Sequence, residues 1–128
     1  MLPLGTLLEF DEFDNKLREK EFASRVVHFM KTLGGKDTHD FLFNALKRCL
    51  SNSVAKEYSM DSKKKKKPLR PTYFLRTMLE AAKMHRAESD EDLAIKIISS
   101  WLAGAKLRFD RETAKLGVIE PEQEQRAD

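Results

Sequence analysis

Apolar side chains recur every three or four residues along most of the chain, a spacing typical of helices that bury one face. A Thr6–Glu9 capping box, in which hydroxyl and carboxylate satisfy free backbone amides, predicts a first helix that continues to about Arg18. A second helix is predicted to begin near residues 19–21. It should end at Gly34-Gly35, because glycine readily adopts the positive φ that terminates a helix.

The middle of the chain combines a third helix with a long irregular stretch. Asp37 is a suitable N-cap for this helix, whose apolar stripe ends before Ser51-Asn52-Ser53. Those three polar residues can cap a short turn over 54–58. Residues 59–70 then lose the helical spacing and contain five consecutive lysines, which predicts a solvent-exposed basic loop.

Two further helices are predicted after the loop. Pro71-Thr72 restarts the helical pattern, and Ser89-Asp90-Glu91-Asp92 is a second capping-box pattern with acidic residues where the helix dipole favours them. The last helix is expected to continue towards Ala114. The polar and acidic residues from Gly117 onward predict a disordered tail.

These patterns predict an all-α fold: a compact single domain of about five helices over residues 1–116, with no sheet and a tail over 117–128. The first helix should pack through Leu7, Leu8, Phe10 and Phe13 onto the core or onto a second copy. The centre of the core is predicted to consist of six apolar residues from different helices: Phe29, Phe41, Leu46, Leu79, Ile97 and Trp101.

Composition narrows the classes of protein to which the chain can belong. With 128 residues, 41% of them hydrophobic, it can bury a core without disulfides or metals. Cys49 is the single cysteine, and its apolar helical setting indicates a buried packing thiol. The apolar runs are too short for a membrane span, and the N-terminus has no secretory signal pattern, so we expect a cytosolic or nuclear protein.

The titratable residues do not form a recognisable catalytic or metal-binding pattern. His28, His39 and His85 have no histidine or cysteine three or four residues away that would suggest a zinc site. There is no phosphate-binding glycine loop, no nucleophile elbow and no paired cysteine motif. We therefore expect a protein that binds rather than catalyses, with no cofactor, metal or small-molecule substrate.

Positive charge is concentrated in the middle of the chain. Residues 1–60 carry nine basic and nine acidic side chains, residues 61–87 nine and two, and residues 88–128 six and ten. A basic block of this kind points to an anionic partner. Its densest part is a group of six cations within eight residues: Lys63, Lys64, Lys65, Lys66, Lys67 and Arg70.

Three interpretations of this lysine run remain open. It can be a solvated loop without a dedicated partner, a nuclear-import signal, or a loop that contacts nucleic-acid phosphates. Lysine suits phosphate contacts but does not discriminate bases as the planar arginine fork does. Base recognition would then come from Arg70, from Asn52, or from the basic residues of the last helix: Lys106, Arg108 and Arg111.

Several motifs carry a family resemblance. They are Leu33-Gly34-Gly35-Lys36-Asp37, then Phe41 followed by Leu46-Lys47-Arg48, then Ala55-Lys56-Glu57-Tyr58-Ser59, and then a lysine-rich loop before a helix. Over about residues 15–85 the chain resembles the eukaryotic domain of unknown function 4806. The layout is also similar, more loosely, to BEN domains, helical modules of chromatin and transcription proteins. That likeness implies a DNA-contacting surface made of the basic loop and the basic residues of the last helix.

Two functions follow from these observations. The first is a nuclear, BEN-like adaptor domain that contacts the phosphates of double-stranded DNA through Lys63–Lys67. The second is a protein-interaction or homodimerisation module of a chromatin-associated protein, whose basic loop meets an acidic partner and which does not bind DNA directly.

Overall fold

The computed structural model of the chain describes residues 2–117. Helices dominate this part of the chain, which confirms the predicted all-α class. Seven helices are present in it: α1 (Leu7–Lys16), α2 (Lys20–Leu33), α3 (Thr38–Cys49), the one-turn α4 (Asn52–Ala55), α5 (Tyr73–His85), α6 (Glu91–Ala103) and α7 (Ala105–Gly117).

A short β pairing contradicts the prediction of no sheet. Strands β1 (Tyr58–Ser59) and β2 (Lys67–Pro68) run parallel, with Tyr58 opposite Lys67. Tyr58 is the last residue of the short turn predicted over 54–58, and the rest of the pairing lies within the segment predicted as irregular, with a 3₁₀ turn over Lys63–Lys65 between its strands. A two-residue strand has too few alternating positions to be visible in the hydrophobic pattern.

The predicted start of α1 is confirmed with one shift. The Thr6 hydroxyl accepts a hydrogen bond from the Glu9 amide at 3.1 Å, as a capping box requires. The Glu9 carboxylate, however, accepts from the amide of Gly5 at 2.7 Å, one residue before the N-cap. The result is a helix start in which both side chains satisfy backbone donors.

The glycine stop after α2 is also confirmed. Gly34 has φ 69° and ends the helix. At Gly35, φ is 154°, and a Cβ would lie only 2.5 Å from the backbone nitrogen of Phe41. Glycine is therefore required here both by conformation and by space. Asp37 then caps α3 by accepting from the Asp40 amide at 2.8 Å.

The last predicted helix is two helices. The chain leaves α6 at Gly104 and starts α7 at Ala105, so that the described part has six helices of ten or more residues instead of five. The N-cap of α6 is Asp90, which accepts a hydrogen bond from the Asp92 amide. Ser89, which the sequence predicted as the cap, instead forms hydrogen bonds with the Thr38 hydroxyl and the Ala82 carbonyl.

The helices enclose one hydrophobic core. Helix α5 contacts α1, α2, α3 and α6, so it is the most central element, and α7 packs on α4. Four of the six residues predicted for the core centre are buried: Phe41, Leu46, Ile97 and Trp101. Phe29 and Leu79 are only half-buried and pack against the edge of the core.

Helix α1 buries fewer of its apolar side chains than predicted. Phe10 and Phe13 are buried and Leu7 is half-buried, but 67% of Leu8 is exposed.

Gly117, predicted as the first residue of the tail, ends α7, and the rest of the predicted disordered tail, 118–128, lies outside the described residues. Within residues 2–117, no helix combines the length and apolar character that crossing a bilayer requires.

Candidate nucleic-acid interface

The β1–β2 pairing closes the basic loop at its base. The amide of Lys67 donates to the carbonyl of Glu57 at 2.8 Å, and the amide of Leu69 donates to that of Ser59 at 2.8 Å. A third bond joins the Arg70 amide to the Met60 carbonyl at 3.0 Å. The lysine run therefore projects from two chain segments that are fixed to each other.

Apolar side chains anchor this base in the core. Tyr58, Met60 and Leu69 are buried, with Leu69 fully inaccessible. The Tyr58 ring lies 4.9 Å from the ring of Phe10 on α1. The loop over 59–70 was predicted to be solvent-exposed, but Met60 and Leu69 are buried. Their burial holds the lysines on the folded domain.

The turn that carries the lysines has an unusual backbone. Ser62, Lys64 and Lys65 all have positive φ, between 56° and 67°, a region that non-glycine residues seldom adopt. Hydroxyl groups support this conformation: the Ser62 hydroxyl donates to the Lys66 carbonyl at 2.7 Å, and the Ser59 hydroxyl accepts from the Lys63 amide at 2.8 Å. Such a conformation persists only where its surroundings specify it.

Two carboxylates near the loop are already paired with cations outside the lysine run. Asp61 accepts two bonds from the Arg70 guanidinium, at 2.6 and 3.0 Å, and this pairing lowers the pKa of the Asp61 carboxyl and raises that of Arg70. Glu57 is paired with Lys56 at 2.6 Å, which lowers the pKa of Glu57, with smaller contributions from Lys66 and Lys67. Arg70, a predicted site residue, is therefore engaged within the loop.

The five lysines themselves are available for an external anion. Lys66 is half-buried, and the others are exposed: Lys63, Lys64, Lys65 and Lys67. Within the described part of the chain, none of the five forms an ion pair. The loop therefore presents a cluster of ammonium groups that are free of ion pairs within the described residues.

The three predicted site residues of the last helix are in different environments. Arg111 is exposed. Lys106 is exposed and forms an ion pair with Asp110 at 3.1 Å, one helical turn along α7. Lys106 also lies in the first turn of α7, shortly after Ala103, a residue that lines a cleft beside the loop.

Arg108 is held inside the fold. Its Nε donates to the Asn52 side chain at 2.8 Å, and its guanidinium lies 4.1 Å from the Trp101 ring. Asn52 in turn donates to Glu112 at 3.0 Å. Burial lowers the pKa of Arg108, and the Glu112 charge opposes this shift. Arg108 and Asn52, both considered for base recognition, thus join α4 to α7.

A cleft separates the basic loop from α6. Its volume is about 340 Å³. One wall belongs to the loop and the other to the C-terminal end of α6, which contributes Ser99, Leu102 and Ala103. On the loop side the lining consists of three lysines and of residues at the start of the loop and just before it: Tyr58, Ser59, Met60, Asp61, Lys63, Lys64 and Lys66.

Sequence reasoning identified the lysines of this cleft but not its other wall. Ser99, Leu102 and Ala103 follow the five lysines by more than thirty positions and carry no charge, so only tertiary packing brings them beside the loop.

Comparisons with known proteins address the family of the chain. Searches of curated proteins and of solved structures gave no match. The looser likeness to BEN domains gains no support from these comparisons and stays a hypothesis. The model of the family described as domain of unknown function (DUF4806) matches residues 1–81, which include α1 to α4, the basic loop and most of α5. This match covers more than half of the 128 residues, so the chain belongs to the DUF4806 family.

Proposed function

We propose that this domain binds double-stranded DNA by placing Lys63–Lys67 against the phosphate backbone. The observation that carries the proposal is the arrangement of the five lysines. They occupy one loop whose base is hydrogen-bonded and anchored in the core, and none of them forms an ion pair with a described residue. A charge cluster held on a rigid base attracts a polyanion more strongly than the same charges on a floppy segment, because less conformational freedom is lost on binding.

The chemistry of the loop favours affinity over sequence recognition. Lysine ammonium groups are point charges that contact phosphates without reading bases. Two of the three arginines predicted to read base edges are committed elsewhere, Arg70 to Asp61 and Arg108 to Asn52 and Trp101. Arg111 is the exposed one of the three. The proposed function is therefore a DNA-binding adaptor of low sequence preference. We further propose a nuclear location, as in the BEN-like hypothesis, since a lysine run also suits nuclear import.

Charge-matched variants test this proposal. Lys64→Ser with Lys65→Ser removes two exposed charges from the loop, and Lys20→Ser with Lys31→Ser removes two from the exposed side of α2. The loop variant should weaken binding to duplex DNA several-fold more than the α2 variant, as measured by fluorescence anisotropy at low salt. Equal effects of the two variants would show that only net charge matters, and the loop would then not be the contact surface.

A second function, homodimerisation, is favoured by the exposed side of α1. Leu8 is 67% exposed and lies one turn from Glu12, which lines a groove of about 470 Å³. Leu4, Phe13 and Phe22 also line this groove. If a second copy covers this surface, Leu8→Glu should convert a dimer to a monomer in light scattering. A wild-type chain that is monomeric at high concentration would exclude this function.

A further inference from the structure

The cleft beside the basic loop combines two kinds of surface. It is lined by three lysines, Lys63, Lys64 and Lys66, and by two serines, Ser59 and Ser99. The other lining groups include Ala103, the aliphatic stems of the lysines and one carboxylate, Asp61, which is paired with Arg70. A ligand that fits both parts must have an anionic group joined to a flat or apolar one.

The size of the cleft limits the ligand further. A volume of about 340 Å³ is at the lower end of the range for small-molecule sites. It is far too small for a duplex, whose stacked bases stay inside the helix and present phosphates to a surface. A single unstacked nucleotide matches the cleft in charge and in size, because it carries a phosphate beside a flat base.

We propose that the cleft between the basic loop and α6 binds one nucleotide of a single-stranded nucleic acid, with its phosphate at Lys63, Lys64 and Lys66 and its base against Ala103. This inference rests on the proposed function, since the same lysines contact phosphates in both. It adds a ligand class, single strands, and a second wall outside the residues that the family model matches. Bound single strands would then be held by base contacts as well as by charge.

The test compares two single-stranded probes of equal length and charge. One is oligothymidylate, and the other is an abasic deoxyribose-phosphate oligomer that has the phosphates but no bases. The intact chain should bind oligothymidylate several-fold, up to about tenfold, more tightly than the abasic oligomer, since tenfold is near the lower end of what stacking on an aromatic ring contributes and Ala103 offers less surface. Equal affinities would overturn the proposal, because the cleft would then make no use of the base.

A cleft-filling variant assigns the effect to this site. Ala103 is exposed and ends α6, so Ala103→Trp can fill the cleft without disturbing the core. It should remove the preference for oligothymidylate, so that the base-bearing and abasic oligomers bind with similar affinity. The matched control is Ala87→Trp, an exposed position near the opposite end of α6, which should keep the preference. A preference that survives Ala103→Trp would place the base elsewhere.

The two proposals fail in different ways. If the intact chain binds neither duplex nor abasic nor base-bearing probes, the proposed function itself is wrong, and the cleft proposal falls with it. If the chain binds all three probes with similar affinity, and Ala103→Trp has no effect, phosphate binding stands and only the nucleotide site is refuted.

Discussion

Asp61 and Arg70 form a two-point ion pair across the mouth of the basic loop, with Nε–Oδ1 at 2.6 Å and Nη2–Oδ2 at 3.0 Å. The two residues lie nine positions apart, on either side of the lysine run. This pair and the β1–β2 hydrogen bonds join the same two segments. The loop is therefore closed twice, by backbone and by side chains.

Breaking this pair should loosen the loop without unfolding the domain. In Asp61→Asn, we expect faster hydrogen exchange at the amides of Lys67 and Leu69, because the side-chain closure is lost. The melting temperature should change little, since exposed ion pairs contribute little to global stability. Unchanged exchange at both amides would show that the backbone pairing alone holds the loop.

Acid should have the same effect on the loop as Asp61→Asn. The folded-state pKa of Asp61 is lowered, so its pairing is fully present above the unfolded value of 3.8 and is lost as the pH falls through the folded pKa. The loop amides should therefore stay protected at pH 5 and lose protection only below about pH 4, as followed by NMR. Loss of protection near pH 6 would require a different titrating group.

Trp101 should be a major contributor to stability. The ring is 4% exposed, and its face meets the Arg108 guanidinium. Trp101→Ala removes a buried ring and should lower the free energy of unfolding by about 3–5 kcal/mol in urea titrations. Leu8→Ala, at a largely exposed position, is the control and should change it by less than about 0.5 kcal/mol. A small effect at Trp101 would mean that the ring is accessible.

Arg108 and Arg111 should differ in how much each contributes to the stability of the fold. Arg108→Gln removes the contacts with Trp101 and Asn52 and should cost about 1–2 kcal/mol of stability. Arg111→Gln, at an exposed position, should leave stability within about 0.5 kcal/mol. Thermal unfolding of the two variants measures this directly, and equal melting temperatures would contradict the internal role of Arg108.

The Cys49 thiol should be inert in the folded protein. Burial raises its pKa to about 12, so the reactive thiolate is absent near pH 8. A chromogenic disulfide reagent should label it only after denaturation. Because the unfolded thiol ionises at about 9 and the folded one near 12, this group should also make stability fall as the pH rises above about 9. Rapid native labelling would indicate an open core at α3.

The helices were predictable because their signals are local. Gly34 ends α2 and Asp37 caps α3 where the sequence predicts, since each acts within a few residues of its own position. Gly104 was missed because its φ of −87° and ψ of −2° are close to helical, so that nothing local marks the break between α6 and α7.

The site was only partly predictable. The lysines are visible as a run of charge, but their fixed geometry depends on Tyr58 pairing with Lys67 across the loop. Likewise, the sequence pattern lists Arg108 among the cations available to DNA. Its bond to Asn52, 56 positions away, arises from the packing of α7 on α4, and its contact with Trp101 arises from the turn at Gly104 between α6 and α7.

The salt dependence of duplex DNA binding tests the central claim, phosphate contact by Lys63–Lys67, most directly. If about four of the lysines engage phosphates, a plot of log affinity against log salt should have a slope near −3.6. Affinity should then fall roughly a hundredfold between about 50 and 200 mM salt. Replacing all five lysines with serine should flatten the slope and leave the helical fold intact. An unchanged slope in that variant, or no binding by the intact chain at low salt, would contradict the claim.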